Sequence, residues 1–138
     1  MNPHQESTYI RTSPPSVIGL WLAIEDATTE NGCLYVIPKS HNDIVPVRFS
    51  WTSDGPLKEV TGIEKQHDLD SFLPLPTKAG TLVILHGSVV HFSQENTSSK
   101  SRHAYTVHYV EGTPDYKWEE DNWLQRTPDL PFEPLYEP

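Results

Sequence analysis

Residues 17–24 read Val17-Ile18-Gly19-Leu20-Trp21-Leu22-Ala23-Ile24, an apolar run that decides the fold class. A continuous apolar run of this length, bounded by turn signals, indicates a buried β-strand. The breaker Ser13-Pro14-Pro15-Ser16 precedes it, and a polar segment ending in Asn31-Gly32 follows it. Asn-Gly readily adopts positive φ in tight turns, so we expect a hairpin turn that leads into a second strand over residues 33–37.

The rest of the chain repeats this pattern of short apolar or β-branched runs between turns. Its 13 prolines and seven glycines leave no room for a long helix. The sequence therefore predicts an all-β protein, and 138 residues correspond to one domain. We expect an irregular insertion over residues 40–77 holding one or two short strands, and an irregular surface tail over residues 112–138. Further strands are predicted over residues 5–12, 81–85, 88–92 and 103–111.

Charge and cysteine content narrow the possible partners and compartment. The formal net charge is −9 and no Lys/Arg cluster is present, so nucleic acid is a poor candidate partner. The apolar runs are too short to span a bilayer, and the first residues lack a signal-peptide pattern, so we expect no membrane association and no secretion. Cys33 is the single cysteine, which fits a reducing compartment such as the cytoplasm. The oligomeric state is left open.

His4-Gln5-Glu6 is the first candidate for chemistry. On a strand, residues i and i+2 point to the same face, so this spacing can present an imidazole and a carboxylate together. His91, at the end of a predicted strand, is the best-placed third ligand. Two histidines and one carboxylate on one face of a metal leave positions open for a co-substrate and O₂, as in Fe(II) oxygenases, whereas structural zinc sites are more closed.

The remaining histidines are interpreted as surface or hydrogen-bonded structural residues. His86 lies five residues before His91, so on a regular strand the two would face opposite ways and would not share a metal. This interpretation covers His41, His67, His86, His103 and His108.

Arg102 is the second informative position. An oxo-acid such as 2-oxoglutarate chelates iron through its keto-acid end and leaves a distal carboxylate, which a planar guanidinium can hold through two hydrogen bonds. The alternative is an exposed arginine in a polar loop with Lys100.

These residues lie within longer sequence motifs, here called words, that resemble motifs of the phytanoyl-CoA dioxygenase family. The resemblance runs through nearly the whole chain, with the words in the family's order. They are Pro3-His4-Gln5-Glu6, residues 19–28, residues 30–34, Pro38-Lys39-Ser40-His41, residues 85–91, residues 101–106, Asn122-Trp123-Leu124-Gln125 and residues 131–136.

The resemblance implies a double-stranded β-helix, the jelly roll of cupins, with a metal held between two sheets. By position, His4, Glu6 and His91 would ligate Fe(II), and Arg102 would bind the distal carboxylate of the co-substrate 2-oxoglutarate. Trp21 matches a tryptophan near that co-substrate, although a core role fits it equally. The implied reaction converts 2-oxoglutarate to succinate and CO₂ and hydroxylates a small molecule that the sequence does not identify.

Three departures from the family pattern qualify this expectation. Glu6 stands where the family usually has Asp, and Lys39 replaces a turn glycine, which matters if that position needs positive φ. Met1 lies three residues before the first ligand, whereas the family domain has about half of its length upstream. We therefore expect a jelly roll truncated at the N-terminus, with exposed apolar surface, an unpaired strand edge and marginal stability.

Two other functional classes remain open at this point. The chain could be a catalytically inactive remnant that serves as a binding or regulatory module. It could also be a cupin-like protein that binds zinc or a small ligand and has no role for Arg102.

Overall fold

The computed structural model describes residues 1–60 and 66–135, and the secondary structure in these ranges is almost entirely strand. The strands are β1 (Thr12–Ser13), β2 (Ile18–Ala23), β3 (Leu34–Val36), β4 (Val47–Thr52), β5 (Gly55–Val60), β6 (Leu73–Leu75), β7 (Leu82–His86), β8 (His91–Ser93), β9 (Ala104–Tyr109) and β10 (Lys117–Trp118), with 3-10 turns at Glu6–Thr8, Ser40–Asn42 and Leu69–Ser71. None of these helical turns approaches the length and hydropathy of a membrane-spanning helix.

Two antiparallel three-stranded sheets form the body of the fold. Their strand orders are β7-β2-β9 and β6-β3-β8, so strands distant in sequence lie side by side, as in a jelly roll. One face of each sheet packs into a common core that includes Trp21, Cys33, Leu34 and Leu85. The all-β prediction and the central strand at residues 17–24 are thus confirmed.

The predicted hairpin between residues 17–24 and 33–37 is wrong. β2 pairs with β7 and β9, whereas β3 pairs with β6 and β8, so the connection crosses from one sheet to the other. Gly32 does adopt positive φ, at 90°. A Cβ there would lie 2.8 Å from the carbonyl oxygen of Gln94, so glycine is required by a close approach as well as by the turn.

The strand predicted over residues 5–12 is also wrong. His4 makes a single antiparallel bridge with His91, and the chain then turns at Glu6–Thr8. The physical cause is tertiary anchoring: the N–H of Ser7 donates to the carbonyl of Gly87 at 2.9 Å, and the Gln5 amide donates to the carbonyl of Ser88 at 2.8 Å. These bonds hold the segment against the turn after β7 and leave it no continuous strand partner.

The segment over residues 40–77 is more regular than expected. It contains the hairpin β4-β5 and the strand β6, which extends the β3 sheet. The hairpin packs on the N-terminal segment, where the rings of Tyr9 and Phe49 lie 5.8 Å apart. Residues 61–65, including the predicted breaker Gly62, lie outside the described residues.

The expected irregular tail also needs correction, because part of it is buried and paired. β10 pairs with β1, and the Asn122 side chain is fully buried. Buried Arg11 ties the tail to the N-terminal segment, since its guanidinium lies 2.7 Å from Glu119 and 2.9 Å from Asp121. The last predicted tail residues, 136–138, lie outside the described residues.

Lys39 occupies a position that needs positive φ. Its φ is 67°, in the left-handed region where a side chain other than glycine is strained. The substitution noted in the sequence therefore carries a conformational cost at the start of the 3-10 turn Ser40–Asn42.

One face of the β7-β2-β9 sheet is apolar and exposed. Leu82, Ile84 and Tyr105 are 49%, 65% and 63% exposed, and their strand register places them on the same side of the sheet. Exposed apolar surface was expected, and the structure bears this out. The outer edges of β7 and β9 have no strand partner among the described residues.

Gly87 offers a direct test of this packing. A Cβ at Gly87 would lie 2.1 Å from Val17 Cγ1 and 2.7 Å from both the Val17 carbonyl oxygen and Ser7 Oγ. Because part of the obstruction is backbone, we expect Gly87→Ala to lower the free energy of unfolding by about 1–3 kcal/mol, measured by urea titration. Gly112→Ala is the control, since nothing lies within 4 Å of a Cβ there, and equal unfolding midpoints for the two variants would contradict the structure.

Candidate metal centre

His4, Glu6 and His91 converge on one point, although they come from two distant parts of the chain. Oε1 of Glu6 lies 3.2 Å from Nε2 of His4 and 3.3 Å from Nε2 of His91. The three ligand atoms all lie within 4.8 Å of one another. Donor atoms about 2.0–2.2 Å from one cation are separated by about 3.0–3.4 Å, so the spacing suits a bound divalent metal.

Both imidazoles of this group are oriented by backbone carbonyls. Nδ1 of His4 bonds to the carbonyl of Asn2 at 2.8 Å, and Nδ1 of His91 bonds to the carbonyl of Val89 at 3.0 Å. A carbonyl oxygen can only accept, so each Nδ1 carries the hydrogen. A neutral ring then presents its Nε2 lone pair to the centre, and a bond from the other ring nitrogen to a carbonyl is the usual way in which metal-binding histidines are oriented.

This arrangement is electrostatically unfavourable without a cation. Two Nε2 lone pairs facing one carboxylate oxygen would repel it, so the geometry calls for protons or a metal ion between them. Burial by itself raises the pKa of the Glu6 carboxyl, but hydrogen bonds from His108, His4 and His91 outweigh it and hold that pKa well below its usual range. Burial lowers the pKa of His4, yet the bonds to Glu6 and Asn2 bring it above its usual value. The carboxylate therefore stays anionic.

His108 is a site residue that the sequence reading missed. Its Nε2 lies 3.2 Å from Oε2 of Glu6, the oxygen that does not face His4 and His91. The sequence alone placed it among the surface or hydrogen-bonded structural histidines. Strand parity was the available signal, since residues 102, 104, 106 and 108 of a regular strand share one face.

Arg102 and Trp21 lie together near the same sheet. The Arg102 guanidinium carbon is 5.8 Å from the centroid of the buried Trp21 ring. Nε of Arg102 is buried and has no hydrogen-bond partner among the described residues. In the register of β2 and β9, Trp21 lies opposite Thr106 and Gly19 lies opposite His108. Trp21 and His108 therefore point to the same face of the sheet, which places the contact between Trp21 and Arg102 on the face where His108 meets Glu6. An unsatisfied buried N–H is costly and invites an anionic acceptor.

The other histidines lie elsewhere. His86 ends β7 and His91 begins β8 in the other sheet, so the two do not lie on one regular strand as the spacing argument assumed, and the ring of His86 lies 5.2 Å from that of His41. His67 lies edge-on to Phe72, and exposed His103 pairs with Glu25 at 3.0 Å.

An open cleft of about 470 Å³ borders the cluster on its Glu6 and His108 side. Its further walls include Tyr9 and Ile10, together with Trp123 and Leu124 of the tail. A second cleft, of about 650 Å³, is also lined by His4, together with Gln5, Thr8 and Val90.

Comparison with known proteins places this site in a family. The model of the phytanoyl-CoA dioxygenase family matches residues 1–104, three quarters of the chain. The chain belongs to the phytanoyl-CoA dioxygenase family. The resemblance seen in the sequence words is thereby confirmed, and so is the jelly-roll fold that it implied.

Within the phytanoyl-CoA dioxygenase family, the chain is similar to phytanoyl-CoA dioxygenase domain-containing protein 1. It is 48% identical to that protein from Danio rerio over 99% of this chain and 47% of the relative. It is 47% identical to the Bos taurus protein over 97% of this chain and 47% of the relative. The chain therefore spans about half the length of the curated relatives that it matches.

Solved structures support the same fold. The epimerase SnoN in complex with Fe3+, alpha ketoglutarate and nogalamycin RO matches with a TM-score of 0.67 at 22% identity, over 99% of this chain and 52% of that chain. EvdO2 from Micromonospora carbonacea var. aurantiaca complexed with 2-oxoglutarate matches with a TM-score of 0.63 at 22% identity, over 87% of this chain and 47% of that chain.

Proposed function

We propose that this chain carries the iron centre of a 2-oxoglutarate-dependent dioxygenase, in which His4, Glu6 and His91 bind Fe(II). The observation that carries the proposal is the pair of imidazoles whose Nδ1 hydrogens are committed to carbonyls while both Nε2 atoms face one carboxylate oxygen. A divalent cation at that point would replace the repulsion with three bonds. Three protein ligands leave positions for a bidentate co-substrate and O₂, as in the two-histidine, one-carboxylate iron sites.

Arg102 fits the co-substrate part of this proposal. Its buried Nε lacks a partner among the described residues, and a carboxylate would satisfy that N–H with a charge-assisted bond. Trp21 would flank the bound co-substrate and limit its access to water, because its ring is buried beside the guanidinium. We assign the distal carboxylate of 2-oxoglutarate to Arg102.

The roles of the chain's own groups follow from these positions. Bound Fe(II) and 2-oxoglutarate would supply the oxidative chemistry that yields succinate, CO₂ and a hydroxylated product. Glu6 offsets the metal's charge, the two carbonyl-anchored histidines fix its position, and Arg102 orients the co-substrate. The 470 Å³ cleft beside Glu6 suits a small-molecule substrate. A cytoplasmic location stays a prediction from the sequence.

Anaerobic titration tests the centre as a whole. We expect the chain, supplied with Fe(II) and then 2-oxoglutarate, to develop the weak visible charge-transfer band of a chelated keto-acid. Absence of that band at millimolar 2-oxoglutarate would remove the enzymatic proposal and leave the inactive binding module.

Arg102→Met separates the oxygenase from a cupin-like zinc or small-ligand protein. Loss of a charge-assisted bond worth about 1.5–3 kcal/mol should weaken 2-oxoglutarate binding by about 10–100-fold, followed through the same band. Binding of Fe(II) alone should change little, because Arg102 is not among the three converging ligands.

Arg126→Met is the matched control, because Arg126 is an arginine that contacts Phe132 in the tail. It should bind 2-oxoglutarate like the wild type. If Arg102→Met forms succinate and binds 2-oxoglutarate as the wild type does, the assignment of the distal carboxylate to Arg102 fails.

A further inference from the structure

His108 contacts a different oxygen of Glu6 from the one that the two candidate histidine ligands face. Its Nε2 is 3.2 Å from Oε2, whereas His4 and His91 both face Oε1. His108 is not a member of the group whose ligand atoms lie within 4.8 Å of one another. The two oxygens of one carboxylate therefore serve different partners.

We propose that His108 is a positioning residue, which donates a hydrogen bond to Oε2 of Glu6 and thereby fixes Oε1 at the metal position. This inference rests on the proposed metal centre and assigns a role that the two-histidine, one-carboxylate set does not include. Unlike the rings of His4 and His91, the His108 ring has no Nδ1 bond to a carbonyl among the described residues. Its Nε2 is therefore free to carry the hydrogen that is donated to Oε2.

The chemistry of glutamate explains why such an anchor is useful. A glutamate carboxylate ends a chain with three rotatable bonds, so it has more conformations to lose than an aspartate when it is fixed. A bond to Oε2 restricts the last torsion and prevents the oxygens from exchanging places. His108 is held in place by β9, in which it lies opposite Gly19 of β2. The ring lies close to β2, since a Cβ on Gly19 would lie 3.6 Å from His108 Cδ2.

Co(II) binding to the whole chain, followed by the visible absorption of the bound ion, tests the inference without turnover. We expect His108→Leu to raise the Kd for Co(II) by about 10–100-fold, the usual effect of removing a residue that is hydrogen-bonded to a metal ligand. His108→Gln should restore the affinity to within about threefold, because its amide can still donate to Oε2. His103→Leu, the same change at an exposed histidine, is the control and should bind as the wild type does.

Repeating the His108→Leu measurement in a Glu6→Asp variant shows whether His108 affects Co(II) affinity through Oε2 of Glu6. Glu6→Asp shortens the side chain by one methylene, so the outer oxygen no longer reaches His108 in its present position. In the Glu6→Asp background we expect His108→Leu to raise the Kd for Co(II) by less than about threefold, because the bond between His108 and the carboxylate is already lost. An equal loss in both backgrounds would show that His108 acts by packing, and the inference would be overturned.

The outcomes separate this inference from the proposed function. If His108→Leu binds Co(II) as tightly as the wild type while the wild type forms the Fe(II) and 2-oxoglutarate band, the positioning role fails and the oxygenase stands. A Leu variant and a Gln variant that lose affinity equally also overturn the role. If the wild type binds no Co(II), the metal centre and the role of His108 fail together.

Discussion

His91→Ala should abolish the charge-transfer band of the chain with Fe(II) and 2-oxoglutarate, because it removes one of three metal ligands. Replacing even a residue that only supports a ligand typically costs 10–100-fold in metal affinity, so loss of a ligand itself should exceed about 100-fold. The side chain is 4% exposed and bonds to the Val89 carbonyl, so its loss lowers stability, but the strand pairing of β8 with β3 runs through main-chain atoms and is kept. The variant should therefore stay folded while losing the metal.

Metal content and thermal unfolding together make this result decisive. His103→Ala is the matched control, since that exposed histidine pairs with Glu25 away from the cluster and should bind Fe(II) normally. If His91→Ala retains the same metal content as the wild type, the chain is better described as the inactive remnant, in which the site has no use.

Asn122→Ala should cause the largest loss of stability among single changes in the tail. The side chain is fully buried, its Oδ1 accepts from the Arg11 N–H at 2.9 Å, and its Nδ2 donates to the Arg11 carbonyl at 2.7 Å. Truncation leaves the buried Arg11 N–H without its partner, at about 1–3 kcal/mol, and leaves the Arg11 carbonyl with only the longer bond from the Glu119 N–H at 3.3 Å. Adding about 1 kcal/mol for the lost bond to the carbonyl, we expect the free energy of unfolding to fall by about 2–4 kcal/mol, measured by urea titration.

The control for this variant is an asparagine with similar bonds in an exposed place. Asn96 donates to the carbonyl of Lys100 at the surface, so Asn96→Ala should change stability by less than about 1 kcal/mol. A comparable loss in the two variants would mean that burial of Asn122 does not matter. Co(II) affinity of Asn122→Ala would also report on the site, because Arg11 bonds to the carbonyl of Thr8 in the turn that begins at Glu6.

The sequence by itself determined the fold class, the family and the identity of the side chains that converge. Strand periodicity and the density of prolines and glycines are local properties, so β2, β7 and β9 could be found without a structure. The order of the sequence motifs indicated the family. His4, Glu6 and His91 were predicted as metal ligands from those motifs and from the chemistry of metal ligation. Trp21 and Arg102 came from the same words, and the structure brings their side chains together.

Only the tertiary structure decided how the sheets are connected and what surrounds the carboxylate. Residues 5–12 favour a strand locally, but bonds from Gln5 and Ser7 to the turn after β7 impose a 3-10 turn instead. In the sequence Asn122 is an ordinary residue of the tail, and only packing against distant segments buries it. His108 is an ordinary strand residue, and only the fold places it beside Glu6. The physical reason is the same in each case: the deciding hydrogen bonds join residues tens of positions apart, and no local pattern specifies such a partner.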